Sequence, residues 1–232
     1  MVRVSPEERL TAIAEAATRV FGRLGYRGTR TAQVAAGAGI SSGSIFNYVE
    51  SKEALFHLVF AHGFGQFAER IPNLPLATPS RGETVRLIED ELRKMPVPKL
   101  RAALEEDAPV DIRRELSGIV EERYEMLGRL WPLLAVIERC AMDVPELEEF
   151  YFRGARVRYF ARLAQYLEQR AASGYMRQMP DTAVAARIIS ESIVWFTWKR
   201  REGRDPLLYD DDVVKRTVVE FICAALVGEP PG

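Results

Sequence analysis

Residues 29 to 55 hold a glycine, Gly39, between two short stretches with apolar positions at helical spacing, and a third such stretch follows at once. Val34, Ala35 and Ala38 share one face of the first stretch, Gly39 permits a tight turn, and Ser41 is placed to cap a second helix that keeps Ile45 inward. That spacing predicts a helix-turn-helix. Its outward face then presents Ser42, Gly43, Ser44, Asn47 and Tyr48, small or hydrogen-bonding residues suited to close approach to a DNA groove and its phosphates.

The surrounding chain reads as helix throughout. Ser5, Pro6 and Glu8 form a start signal with a capping box, and Leu10, Ile13, Ala17, Phe21 and Leu24 recur at helical spacing until Gly25, which is placed to end the helix in a left-handed cap. Thr29 is placed to cap the next helix and Ser51 the one after, in which Leu55, Leu58 and Val59 lie along one side. Prolines at 72, 75 and 79 predict a break near residues 71–80, because proline removes a donor and disfavours helix before it. Further helical segments follow over residues 84–94, 111–130, 133–142, 145–173, 181–202 and 210–227, punctuated by Pro96, Pro98, Pro109, Pro132, Pro145, Gly174, Pro180 and the stretch from Gly203 to Pro206. The expected fold is all-α: an N-terminal three-helix helix-turn-helix domain over residues 1–56, a connecting helix and proline-rich linker over 57–80, and a larger helical domain over 81–232.

Composition sets bounds on function. With 232 residues and 47% hydrophobic content the chain can build a sizeable core. Its net charge of −1 is unlike that of a typical nucleic-acid binder, yet residues 1–56 hold seven basic side chains against five acidic ones. No apolar run reaches the ~18 residues of a membrane span, and the N-terminus lacks the apolar stretch of a signal peptide, so a cytoplasmic protein is expected. Cys140 and Cys223 each sit in an apolar helical pattern with no paired spacing, which predicts buried thiols. No metal-ligand signature, phosphate loop or nucleophile motif appears, and His57 and His62 stand isolated, so no metal, cofactor or catalysis is expected.

Taken in order, Phe21-Gly-Arg-Leu-Gly-Tyr-Arg-Gly-Thr29, Val34-Ala-Ala-Gly-Ala-Gly-Ile-Ser41, Gly43-Ser-Ile-Phe-Asn-Tyr48 and Ser51-Lys-Glu-Ala-Leu55 resemble the DNA-binding domain of the TetR family of bacterial transcriptional regulators. The resemblance implies that Arg30 and Thr31 touch backbone phosphates, that Ser42, Gly43 and Ser44 open the recognition helix in the major groove, and that Asn47 and Tyr48 reach base edges or phosphates. Lys52 would add its ammonium to the free N–H groups at a helix N-terminus. Two positions depart from the family's usual pattern. Phe46 replaces a common tyrosine and so loses a hydroxyl while keeping a ring for packing or a sugar contact, and Val49 replaces a frequent phenylalanine at the junction with the next helix.

For the larger domain the resemblance implies a small-molecule effector site and a homodimer through the last two helices. The sequence offers apolar faces there, Ala186, Ile189, Ile193 and Phe196 on one helix and Val214, Val218, Phe221, Ile222 and Ala225 on the other, which a four-helix bundle between two copies would bury. Such a dimer reads a pseudo-palindromic double-stranded operator. Among the aromatic and apolar residues, Met126, Trp131, Tyr159 and Trp195 are the candidates to line an apolar effector pocket, with Glu138, Arg139, Arg156 and Glu191 as possible polar anchors. Two other functions are kept in view: a DNA binder governed by a protein partner, and, remotely, an all-α enzyme.

Overall fold

The structure is a computed structural model that describes residues 5–67, 73–95, 97–202 and 209–227. Pro72, Pro96 and the break from Gly203 to Pro206 lie outside the described residues. Among the described residues the secondary structure is helical, and the only extended pairing is a single bridge between Val49 and Leu76. The chain divides into two compact units, one made of Met1–Met95 with Pro132–Arg153 and the other of Pro96–Trp131 with Gly154–Gly232.

In the first unit α1 spans Pro6–Gly28 and starts with the expected capping box: the Ser5 hydroxyl accepts from the Glu8 N–H at 3.1 Å, and the Glu8 carboxylate accepts from the Ser5 N–H at 2.8 Å. Gly25 interrupts it with φ 75° and ψ 179°, an extended left-handed conformation open essentially to glycine alone, where a left-handed helical cap was expected. Short α2, Thr31–Gly37, follows, then a tight 3-10 turn at Ser44–Asn47, α3 at Lys52–Gly63 and α4 at Glu83–Lys94. Ile13, Phe21, Val34, Ile45, Leu55 and Leu58 are fully buried and form this unit's core.

The second unit contains α5, Pro98–Glu105, which no sequence segment anticipated. It also holds the first two-thirds of α6, Ile112–Ala141. The sequence predicts two helices parted at Pro132, yet α6 runs 30 residues with the proline inside it. An interior proline destabilises a helix by about 3 kcal/mol. Burial of Leu127 before it and of Leu133, Leu134, Val136 and Ile137 after it offsets that penalty. Helix α7, Pro145–Glu148, passes through a π-helical segment at Glu149–Ala155 into α8, Arg156–Ala172. Helices α9, Thr182–Thr197, and α10, Asp211–Leu226, start alike: the carboxylates of Asp181 and Asp210 each accept two backbone N–H groups of the first turn.

Burial changes the assignment of faces on α9 and α10. Ala186, Ile189 and Ile193, expected to meet a second copy, are buried within the chain, as are Val214, Val218 and Ile222. The apolar side chains left outside are Val184, Ile188 and Trp195 on α9 and Val213 and Phe221 on α10, the last 73% exposed. Each set recurs at helical spacing, so each helix carries a second apolar stripe outside its packed one.

Candidate nucleic-acid interface

The reading segment is assembled by bonds between near neighbours. The Arg30 N–H donates to the Gln33 side-chain oxygen at 2.8 Å, which starts α2. Thr29 was expected to supply that cap; its hydroxyl instead donates to the Gly25 carbonyl at 2.7 Å and closes the end of α1. Gly39, at φ 68°, turns the chain out of α2. The Ser41 hydroxyl oxygen accepts from the Ser44 N–H at 3.1 Å, but the N-cap position is taken by Gly43, which makes no side-chain bond, so Ser41 braces the turn from outside instead of capping it as expected. The element that follows is one 3-10 turn, shorter and tighter than the expected helix.

This turn leaves the anticipated face open. Arg30, Ser42, Gly43, Phe46 and Asn47 are exposed, while Thr31, Ser44, Tyr48 and Lys52 are half-buried. A Cβ added at Gly43 would meet nothing within 4 Å, so the absent side chain leaves bare backbone on the surface. Phe46 is 50% exposed, which assigns its ring to the surface and not to packing. Ser44 is less free than its neighbours, because its hydroxyl lies 2.6 Å from that of Ser41. Behind the face, Ile45 and Val49 are fully buried, so valine fills the junction with α3 without a larger ring.

A second layer holds the start of α3. The Ser51 hydroxyl accepts from the Ala54 N–H at 3.1 Å, the expected cap. Lys52 lays its ammonium over the Tyr26 ring, 4.7 Å from the centroid, and donates to the Arg27 carbonyl at 3.4 Å. The Tyr26 hydroxyl donates to the Glu53 carboxylate at 2.9 Å. Glu53's own backbone N–H, followed by Tyr26 and Ser51, holds its carboxyl below the usual range, while burial and Glu53 push the Tyr26 phenol up. Residues 76–78 also brace the segment: Leu76 exchanges backbone bonds with Tyr48 and Glu50, and Thr78 bonds to the side chains of Glu50 and Ser51. The sequence reading placed a plain linker there and had no signal for this pairing.

The effector candidates occupy the second unit in different settings. Met126, Trp131 and Tyr159 are half-buried, whereas Trp195 is 45% exposed in the outer stripe of α9. Burial raises the Tyr159 phenol, and the guanidinium of Arg123, a residue the sequence reading passed over, lies 3.9 Å from its ring centroid. Arg123 sits at i+4 from Ile119 and i−4 from Leu127, both buried, and a basic residue in such a line was a legible signal. Among the polar candidates, Arg156 and Glu191 form an ion pair, Arg187 joins it at 2.8 Å, and Arg139 is exposed. Both cysteines are buried; burial, then Asp143, pushes the Cys140 thiol up to about 12, so neither pattern nor setting makes it reactive.

A short turn that follows a glycine-hinged helix and displays small polar residues, a ring and an asparagine has the layout of a helix-turn-helix. Residues 13–59 match the model of the bacterial regulatory proteins of the tetR family. No curated protein matches the chain's sequence. Solved structures with similar folds include NalD, the secondary repressor of the MexAB-OprM multidrug efflux pump in Pseudomonas aeruginosa, at 19% identity over 97% of this chain and 100% of that one, with TM-score 0.52. AibR, solved with isovaleryl coenzyme A and operator DNA, is 17% identical over 93% of this chain and 98% of its own, TM-score 0.51. A TetR-family transcriptional regulator from Mesorhizobium loti, described as putative, is 18% identical over 95% and 98%, TM-score 0.50. Over residues 13–59 the chain is thus similar to the DNA-binding domain of the tetR family, and over its length it shares the fold of these three structures. Among the described residues no helix is long and apolar enough to cross a membrane.

Proposed function

We propose that this protein is a ligand-responsive repressor that binds a pseudo-palindromic operator as a homodimer and leaves it when a small, largely apolar effector binds. Residues 1–56 serve as the DNA-binding domain, 57–80 as the connection and 81–232 as the effector and dimer domain, in the cytoplasm. The observation that carries the reading is the outer apolar stripe of α9 and α10, Val184, Ile188, Trp195, Val213 and Phe221, in a chain whose reading turn is open. Exposed apolar side chains grouped on adjoining helices favour burial against a second copy, and a two-fold helix-turn-helix dimer reads half-sites about 34 Å apart. Trp195 then belongs to the dimer face, and Met126, Trp131 and Tyr159 remain the effector residues.

Arg30, Thr31, Ser42, Gly43, Ser44, Phe46, Asn47, Tyr48 and Lys52 form the DNA-contacting set. Gly43 lets the backbone approach bases, and Asn47 offers a donor and an acceptor to a base edge. Effector binding shifts the dimer toward a geometry whose reading turns no longer fit both grooves, a differential affinity and not a reaction. That NalD is a repressor and that AibR was solved with both an acyl coenzyme A and its operator support this type of switch. A mobility shift with DNA upstream of the protein's own and adjacent genes tests the proposal. Salt-sensitive binding to a palindrome by a dimer is the expected result, and no such binding at any salt concentration refutes it.

A further inference from the structure

The second unit keeps two arginines against its interior, and they differ in what meets their N–H groups. Arg170 on α8 makes five hydrogen bonds: two to the Glu115 carboxylate, and one each to the carbonyls of Ala103, Glu106 and Asp107. Arg123 on α6 makes none among the described residues, and its Nε is buried without an acceptor. No carboxylate pairs with it there; its neighbour Glu122 faces the backbone N–H of Lys99, at 3.3 and 3.4 Å. What Arg123 does touch is the ring of Tyr159, 3.9 Å below its guanidinium carbon.

An aromatic face satisfies the face of a guanidinium and leaves its edge unsatisfied. On that edge Nε–H and one Nη–H run parallel, at the spacing of two oxygens of a carboxylate or phosphate. Tyr159 supplies no negative charge, since burial keeps its phenol protonated. A buried N–H of a charged group with no acceptor in its own chain, as at the Arg123 Nε, is destabilising unless something else supplies the acceptor. Met126 and Leu130 lie one and two turns further along α6, near the same face as Arg123, and both are half-buried.

We infer that Arg123, set over Tyr159, is the anchor for the oxyanion head of the effector, which is an organic anion with a carboxylate or phosphate ester at one end and an apolar body lying along Met126 and Leu130. This rests on the reading of the protein as ligand-responsive. The guanidinium edge takes the two oxygens side-on, and the apolar body removes the remaining surface from water.

The test uses the purified full chain with decanoate, decyl phosphate and the uncharged methyl decanoate, measured by calorimetry on wild type, Arg123→Met and Arg123→Lys. Wild type is expected to bind at least one of the two anions tenfold or more tightly than the ester. Arg123→Met should lose that preference while binding the ester as before, Arg123→Lys should regain only part of it, and the methionine variant should melt no lower than wild type. Which anion binds identifies the head group as carboxylate or phosphate. No preference in wild type, a preference that survives in Arg123→Met, or a melting point well below wild type in that variant would each overturn the inference. The outcome is separable from that of the repressor proposal: operator release by the ester alone leaves a ligand-responsive repressor without an anionic effector, whereas failure to bind any operator leaves the anion preference to judge Arg123 by itself.

Discussion

The reading segment and the interior of the second unit satisfy their polar groups by opposite means. From Arg30 to Ala54 the turns are shaped by hydrogen bonds between residues three apart, as Gln33 makes for Arg30, Ser41 for Ser44 and Ser51 for Ala54, and only the bracing from Tyr26, Arg27, Leu76 and Thr78 comes from further away. In the second unit Arg170 reaches Glu115 across 55 positions and the Ala103 carbonyl across 67. A surface shaped by its own neighbours leaves its outward side chains open. An interior built from distant partners ties its helices together, so a polar group it leaves unmatched stands out.

The largest effect expected from breaking this contrast is at Arg170. Replacing it by alanine leaves the half-buried Glu115 carboxylate with the Tyr166 hydroxyl alone and the carbonyls at the end of α5 without a donor, and loss of one member of a buried pair destabilises by about 3–5 kcal/mol. Urea unfolding of the purified protein should show that loss, and a change below about 1 kcal/mol would mean the long-range network is not what holds these helices. Next comes Gly25→Ala. A Cβ there meets the Asp143 carboxylate at 3.0 Å on a backbone with φ 75°, so a loss of about 1–3 kcal/mol is expected in the same assay.

Gly43→Ala sharpens the contrast from the other side. With nothing within 4 Å of the added methyl, the melting temperature should stay at the wild-type value. Operator affinity should fall by about 1–3 kcal/mol, the size of one base-edge contact, and equal affinity would show that the backbone does not approach the bases at Gly43. Ser51→Ala removes the cap of α3 and should lower stability by about 1 kcal/mol, visible as earlier loss of helical circular dichroism on heating.

The smallest effect concerns acidity. His57 bonds to the Thr84 hydroxyl at 3.0 Å, and burial lowers its pKa despite the opposing field of Glu83. The folded chain therefore resists a proton that the unfolded chain accepts. Stability is full above the ordinary histidine pKa of about 6.5 and declines as the pH falls from there through the lower folded value. A His57→Gln variant should show a flatter profile over that window in unfolding titrations, and an unchanged slope would remove His57 as its source.

The first unit was legible because its signals are local. Ser5 with Glu8, and Ser51, each announce a helix that starts at the next residue through a bond reaching three positions ahead, and Ile13, Val34, Ile45 and Leu55 announce the buried side by period alone. Thr29 was misread for the same reason in reverse: two carbonyl and amide partners lay within four residues, and only the turn at Gly25 chose between them. Pro132 was misread because a local penalty says nothing of the burial on either side of it. On α9 and α10 two apolar stripes were present in the sequence, and period could not say which one the chain covers itself.

By itself, then, the sequence determined where α1, α3, α9 and α10 begin, where the glycine turn falls and which residues that turn displays, since those depend on bonds spanning three or four positions. Only the tertiary structure decided that Ile189 and Val218 are covered while Ile188 and Phe221 are not, and that Arg170 finds acceptors while Arg123 finds an aromatic face. Burial and long-range partners follow from how helices distant in the chain pack, and no local pattern contains that information.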